Sequence, residues 1–482
     1  MSYRLTISSA SSTATWRLFS ALMALLNEHS RALVTGVPGQ LARGMDSLTT
    51  PNRAHTRHSE AGMRATTFFQ VARRFRDSLV GDCPVYGDHR SSAEEMDMRV
   101  LVTSRPGIGH VHPLVPLALG LQRTGHDVAW ATAPEMRARI EGYGFRALPS
   151  GSAPGTASAS AALLPGHDLR DVPPRERRAQ FFGKRFGGAA VRMREDLAPL
   201  VDAFRPDLIV HDLAELAAAP VAAARGIPHV TVAFSGAVSE SLVEGIVAAV
   251  SEVWSAEGLS VPSDAGLYEH LYLHRFPPAL GPAPDNTNVR FVRPVGFDGA
   301  RAEEAPAWLA ALGSDRPAVY VTLGTVVSGP AQWREILTAL DSLDVDAVAT
   351  TGTQVDPAEI GPVPANVRVE RYVPQSFILE HVAALVSHAG AGSMLAGAER
   401  GLPQLCIPMG ADMWDNADAL AGSGASLTLE EDQRDALAIS GAIERLLKDA
   451  AFSTAARRVA AEIATLPHPD EYVPALEALA HG

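Results

Sequence analysis

Three short stretches hold residues able to do chemistry. The first is Pro106-Gly-Ile-Gly-His-Val-His-Pro113, a glycine loop after the apolar run Arg99–Thr103 (RVLVT), with His110 within it. Imidazole titrates near neutral pH and is the commonest general base, although a loop histidine also serves as a simple capping or surface residue. The second is Asp212, closing the apolar run Pro206–His211 (PDLIVH). A carboxylate there can orient an imidazole and stabilise the imidazolium formed on proton abstraction, or cap the following helix, and the two roles are compatible. The third is Ser387-His-Ala-Gly-Ala-Gly-Ser393, which ends the run Ala384–Ser387 and opens a helix reaching about Arg400. Gly390 and Gly392 let backbone N–H groups approach an anion at a helix N-terminus, while Ser393 adds a hydroxyl and His388 a directional donor. The combination suits a diphosphate without the lysine of a P-loop; a glycine-rich turn into a helix can also be only a turn.

Other chemistries lack their residues. The loop after the first strand imitates the dinucleotide fingerprint G-x-G-x-x-G, but His112 stands at the third glycine. No acid ends the next strand, where Ala131-Thr-Ala-Pro134 stands, so nicotinamide and flavin chemistry are not expected. Asp344 and Asp346 have the spacing of a two-carboxylate metal site, yet they lead into an apolar strand. The histidines show no H-E-x-x-H spacing, and no metal is expected. Trp130, Trp254, Trp308 and Trp333 have no role beyond packing.

Strand ends must be gathered on one edge for these side chains to meet, and the pattern supplies that scaffold. A strand over 99–103, a helix over 113–123 and a strand over 127–132 open a doubly wound parallel sheet. A strand over 206–211, an Ala-rich helix over 213–225 and a strand over 229–234 continue it, until a Pro- and Gly-rich stretch at 276–288 interrupts. A second series has strands at 318–323, 345–350, 367–371, 384–387 and 404–407, after an irregular linker near 296–315. The fold class expected is α/β, with two Rossmann-like domains, 96–300 and 301–482, facing a cleft between their carboxyl strand edges. The first 95 residues differ: 11 arginines stand against 8 acids and no strand-helix alternation appears, so they are read as a leader or as upstream sequence from a misassigned start.

A chain of 482 residues is too long for one core. Its net charge of −13 does not suit a nucleic-acid partner, and Cys83 and Cys406 alone cannot build a disulfide framework. No stretch reaches the ~20 apolar residues of a membrane helix. Leu18–Leu26 (LFSALMALL) is read as a loose amphipathic segment rather than a signal peptide, since no clear cleavage site follows it. The expected setting is the cytoplasm, with no stable membrane insertion.

Arg371-Tyr-Val-Pro-Gln375, His388–Ser393, Gly401-Leu-Pro403, Pro408 and Asp412–Ala417 (DMWDNA) occur in the order of the nucleotide-sugar signature of family 1 glycosyltransferases with the GT-B fold, as do Gly109–Pro113 and Gly125–Val128 in the amino half. Over residues 98–480 the chain resembles actinobacterial enzymes that attach deoxysugars to antibiotics such as enediynes and macrolides. The resemblance implies an inverting, metal-independent transferase that uses a nucleoside-diphosphate sugar as donor substrate and no cofactor. It implies His110 as the base and Asp212 as its partner. Tyr372 would stack on the nucleobase, beside Val373 and Gln375. His388, Gly390, Ala391, Gly392 and Ser393, with Gly324 and Thr325 opposite, would hold the diphosphate. Asp412 and Met413 would face the sugar. Two departures bear on the donor. Relatives that use ribonucleotides have a glutamate for the ribose hydroxyls at the position of Ala396, which suits thymidine here, and Met413 replaces a glutamine that grips glucose, which suits a deoxygenated carbon. A TDP-deoxysugar and a hydrophobic aglycone, the latter between segments 150–188 and 237–272, are therefore expected. A nucleotide-sugar epimerase and a non-catalytic helper remain as rivals, and a homodimer or an activating protein stays open.

Overall fold

The computed structural model describes residues 97–151, 174–236, 238–301, 304–324, 330–352 and 355–482, with the backbone alone at 174–185 and 330. The expected leader over 1–95 lies outside them, as does Thr325. Two all-parallel sheets form the scaffold. The first takes β1 (Arg99–Thr103), β2 (Asp127–Thr132), β3 (Arg146–Pro149), β4 (Leu208–Asp212), β5 (His229–Val232), β6 (Leu271–His274) and β7 (Val289–Phe291) in the order β3-β2-β1-β4-β5-β6-β7. The second takes β8 (Ala318–Thr322), β9 (Asp346–Thr350), β10 (Val367–Glu370), β11 (Ala384–Ser387), β12 (Gln404–Cys406) and β13 (Ser426–Thr428) in the order β10-β9-β8-β11-β12-β13.

Both orders reverse direction at their centre, between β1 and β4 and between β8 and β11. There the flanking connections part to opposite sides and leave a crevice beyond the carboxyl ends of the strands. His110 follows β1 and Asp212 ends β4, while Gly324 follows β8 and His388 follows β11. The register makes the neighbours explicit: Thr103 pairs with His211, and Thr322 pairs with Ser387. Each pair of candidate residues thus grows from one switch point.

Strands buried on both faces read as near-continuous apolar runs, which is why RVLVT, LIVHD, AVYVT and ALVS were legible. Val100, Val102, Trp130 and Leu208 centre one core, and Val319, Val321, Trp333 and Leu405 centre the other. Trp130 is fully buried and its indole N–H donates to Ser104 Oγ at 3.0 Å, so its one polar atom is satisfied.

Four strands, β3, β6, β7 and β13, escape a pattern reading: β3, β7 and β13 are short and only partly buried, so they carry no continuous apolar run, and β6 is only four residues, LYLH. The helix expected over 213–225 spans only Ala218–Ala223; the residues before it form a turn fastened to Asp212, whose Oδ1 accepts the Ala214 N–H at 2.8 Å. The segments expected to be acceptor loops contain helices instead, Pro174–Phe204 and Glu240–Ala256. The second pairs an N-cap Ser239 accepting from Leu242 N–H with an apolar stripe of Leu242, Ile246, Val250 and Val253. Residues 152–173 and 237 of those segments lie outside the described residues.

The tail does not stay with the second sheet as the 301–482 division supposes. Past Pro467, a turn over Pro469–Tyr472 and the helix Val473–His481 return to the first, where Val473 and Leu476 join the core of Val100 and Leu208. Arg123 grips Asp470 through two bonds of 2.7 and 2.6 Å, and His126 Nε2 meets Glu477 at 3.1 Å. An amphipathic helix shows which face it buries but not against which sheet. No helix among the described residues is long and apolar enough to cross a membrane.

Candidate functional site

At the first switch point, His110 Nδ1 lies 3.1 Å from Asp212 Oδ1. The carboxylate is fully buried, whereas the imidazole keeps a fifth of its side-chain surface exposed. Asp212 also accepts the backbone N–H of Arg105 on Oδ2 at 2.7 Å and that of Ala214 on Oδ1 at 2.8 Å. Two backbone donors thus fix the carboxylate before the histidine is considered. A neutral imidazole that donates Nδ1–H to Asp212 leaves Nε2 as its basic nitrogen. The ring is held edge-on by Phe234 and Phe186, at centroid distances of 4.7 and 5.9 Å. Asp212 thus contacts the histidine and ties down a turn, while the helix that follows starts at Ala218 with no side-chain cap.

Two more buried side chains, Glu215 and Arg105, feel the Asp212 charge. Glu215 accepts from Thr103 Oγ1 at 3.3 Å and from Ala217 N–H at 3.0 Å. Burial first, and the Asp212 charge after it, push its carboxyl up to about 7. Arg105 is buried above Phe186, its guanidinium 5.5 Å from the ring centroid. Burial pulls its pKa below the usual value while Asp212 and Glu215 oppose that shift.

At the second switch point, the turn Ser387–Gly390 is built around Ala389, whose φ of 59° is unusual for a residue with a side chain. Its N–H donates to Ser387 Oγ at 3.1 Å, and its carbonyl accepts Asn416 Nδ2 at 3.0 Å. The same Asn416 nitrogen donates to Asp412 Oδ2 at 2.9 Å, so one buried amide joins the turn to the acid. The helix Ala391–Glu399 begins with Gly390 at its N-cap and no side-chain cap, which leaves the first-turn N–H groups of Ala391, Gly392 and Ser393 for an outside acceptor. His388 Nδ1 is buried without a partner among the described residues, and burial pushes the imidazole down to about 4, so the ring is neutral near pH 7. The ring rests against two glycines. A Cβ on Gly324, where φ is +75°, would meet Nε2 at 2.6 Å, and one on Gly390 would also collide with it.

The remaining expected residues are less uniform. Asp412 is half-buried beside the turn. Met413 is 8% exposed and packs with Ala389 and Met394 while its Sδ accepts the Met409 N–H, so it supports the turn from below rather than forming a wall toward a sugar. Val373 is likewise core, leaving only backbone for a ligand. Tyr372 is half-exposed, and its hydroxyl donates to the Asp298 carbonyl at 3.2 Å. Asp298 Oδ2 accepts the Ser376 N–H at 2.9 Å, next to Gln375, which opens the short helix Gln375–Leu379. Asn416, Asp298, Arg105 and Glu215 went unread in the sequence. Asn416 sits within DMWDNA, so one helical turn after Asp412 was the available signal. The acids Asp344 and Asp346 are both answered by Arg316, at 3.6 and 2.8 Å.

Residues 119–324 match the family described as Erythromycin biosynthesis protein CIII-like, N-terminal domain, and residues 334–479 match its C-terminal domain. The chain is similar to an L-demethylnoviosyl transferase of Streptomyces niveus, 33% identical over 77% of this chain and 96% of the relative. Among solved structures it is similar to the glycosyltransferase SnogD of Streptomyces nogalater, with a TM-score of 0.64 and 30% identity over 80% of this chain and 99% of that one. It is also similar to the glycosyltransferase SsfS6 of Streptomyces sp. SF2575 complexed with thymidine diphosphate, with a TM-score of 0.65 and 26% identity over 79% and 99%.

Proposed function

The chain belongs to the erythromycin biosynthesis protein CIII-like glycosyltransferases, and from that premise we propose that it moves a deoxysugar from a TDP donor to a hydroxyl of a hydrophobic natural-product aglycone, with inversion at the anomeric carbon and without a metal. The observation that carries the proposal is the His110–Asp212 pair: a partly exposed imidazole whose Nδ1 is committed to a fully buried carboxylate at a sheet switch point.

His110 Nε2 takes the proton of the acceptor hydroxyl as its oxygen bonds to the anomeric carbon. The bond from that carbon to the donor phosphate oxygen breaks on the opposite face, and its electron pair leaves with the diphosphate. Asp212 stabilises the imidazolium. Base catalysis of this kind contributes on the order of 10² to 10⁴ in rate. The charge gained by the leaving diphosphate meets the first-turn N–H groups of the helix Ala391–Glu399, the Ser393 hydroxyl and the neutral His388 ring. This local provision matters because residues 96–482 carry a net −16.

Two features support thymidine as the nucleoside. Ala396, buried in the helix, gives a ribose 2′-hydroxyl no carboxylate, and SsfS6, a relative by structure, is complexed with thymidine diphosphate. A donor screen of TDP-deoxysugars against UDP-glucose, with hydrophobic aglycones and product masses recorded, tests the proposal. Transfer from TDP donors, lost in His110→Ala while TDP still binds, is the expected result. Epimerised nucleotide sugar with no transferred product overturns it.

A further inference from the structure

At the opposite edge of the first sheet, where β5 and β6 begin, three side chains converge. One ligand atom each from His229, Glu269 and His270 lies within 4.8 Å of the other two. His229 is buried, His270 half-buried and Glu269 exposed, so the group opens to solvent on one side only. We propose that these three residues hold one divalent first-row transition ion, zinc being the ion their donor set suits, at a site separate from the transferase centre. No sequence motif announced it, because 39 residues separate His229 from the adjacent pair Glu269-His270.

The hydrogen-bond polarity argues for a cation. His211 Nδ1 lies 3.2 Å from the Asp212 carbonyl and can only donate there, so its Nε2 is an acceptor in the neutral ring. Thr231 Oγ1, 3.2 Å from that Nε2, gives its hydrogen to the Leu267 carbonyl at 2.9 Å, which leaves His229 Nδ1, at 3.1 Å, as the donor. A neutral His229 is left with a lone pair on Nε2, and that lone pair faces Glu269 Oε2 at 3.3 Å, acceptor against acceptor. A proton or a metal ion resolves the conflict. His270 favours the metal ion: it brings a third ligand atom to the group, which a proton on His229 leaves unused, and its Nδ1 is buried with no partner among the described residues. Its ring centroid is 5.1 Å from that of His229, at 75°.

One of the three ligand separations matches zinc. Neighbouring ligands about a tetrahedral zinc, each bonded at ~2.0–2.1 Å, lie ~3.3–3.4 Å apart, which is the His229–Glu269 separation. Two imidazoles and one carboxylate favour zinc and its neighbours over magnesium or calcium, which prefer all-oxygen sets. A ligating histidine normally donates its other ring N–H to a fixed acceptor, and His229 has that acceptor in His211. The Glu269 backbone is pinned too, its carbonyl accepting Asn288 Nδ2 at 3.0 Å.

The test uses the untagged full chain, stripped with chelator and dialysed, with zinc chloride as the probe. Bound zinc is counted by elemental analysis, and the melting temperature is followed with and without zinc. Glu269→Gln and His270→Ala, both at the open side of the group, and the double variant are compared after circular dichroism shows them folded. The expected result is one more zinc per chain in the parent than in the double variant. Zinc at a hundredfold its dissociation constant should also lower the unfolded fraction about a hundredfold in the parent alone. Equal stoichiometry and equal melting in parent and double variant overturn the proposal, leaving His229–Glu269 as an ion pair.

Discussion

Asp212 Oδ2 takes the backbone N–H of Arg105 at 2.7 Å, so the strand that carries the carboxylate is fastened to the very loop that leads to His110. The partner and the base are positioned by one carboxyl group, and a change there acts on both.

Asp212→Asn keeps the shape but brings an amide NH₂ toward donors that need acceptors. Steady-state transfer should fall by on the order of 10² to 10⁴, with TDP affinity by calorimetry unchanged. A parallel loss of TDP binding would mean that the damage spread beyond the base.

Gly324→Ala probes the second switch point. Its Cβ would meet His388 Nε2 at 2.6 Å and must also adopt a φ of +75°. We expect TDP binding to weaken at least tenfold, a cost of about 1.4 kcal/mol or more. Ser393→Ala, which removes one hydroxyl, should weaken it less. Calorimetric titration with TDP orders the two.

Glu215 gives a pH signature. Its folded-state pKa, raised to about 7, exceeds the unfolded value of 4.5, so the native state holds a proton that the unfolded chain has released. The stability linked to that proton is fully present below pH 4.5 and is lost as pH rises through about 7. Glu215→Gln should remove this contribution, so that its melting temperature declines less than the parent's between pH 5 and 8 in scanning calorimetry.

His274 gives the opposite sign. It is fully buried, neither ring nitrogen has a partner among the described residues, and burial pushes it down to about 4. The unfolded chain takes up a proton below about 6.5 that the native state refuses, so stability falls as pH drops toward 4. His274→Phe keeps an aromatic body between Tyr272 and Phe291 and discards two unsatisfied nitrogens. Its melting temperature should match or exceed the parent's at pH 7, and the gap should widen at pH 4.5.

How far the sequence could be read follows from where each residue acts. His110, Asp212 and His388 stand at or just past the ends of apolar central strands, and a doubly wound sheet carries such ends to its switch points whatever the loops do. Residues whose role depends on a side-chain direction within a helix or turn were not legible. Met413 was read as a sugar contact but points into the core, while Asn416 next to it ties Ala389 to Asp412. Arg105 and Glu215 are ionisable residues just past strand ends, where pattern reading expects surface, yet both are buried around Asp212. The return of the tail to the first sheet depends on contacts such as Arg123–Asp470, spanning 347 residues, and no local pattern encodes a partner so distant.

That return also sets an order of events during synthesis. Val100, Trp130 and Leu208 leave the ribosome early, but Val473 and Leu476, which complete their core, follow only after the whole second sheet has emerged. The half that is made first is therefore closed last. Until the tail arrives, the face awaiting it is exposed apolar surface, the kind that chaperones bind and that aggregates when they do not.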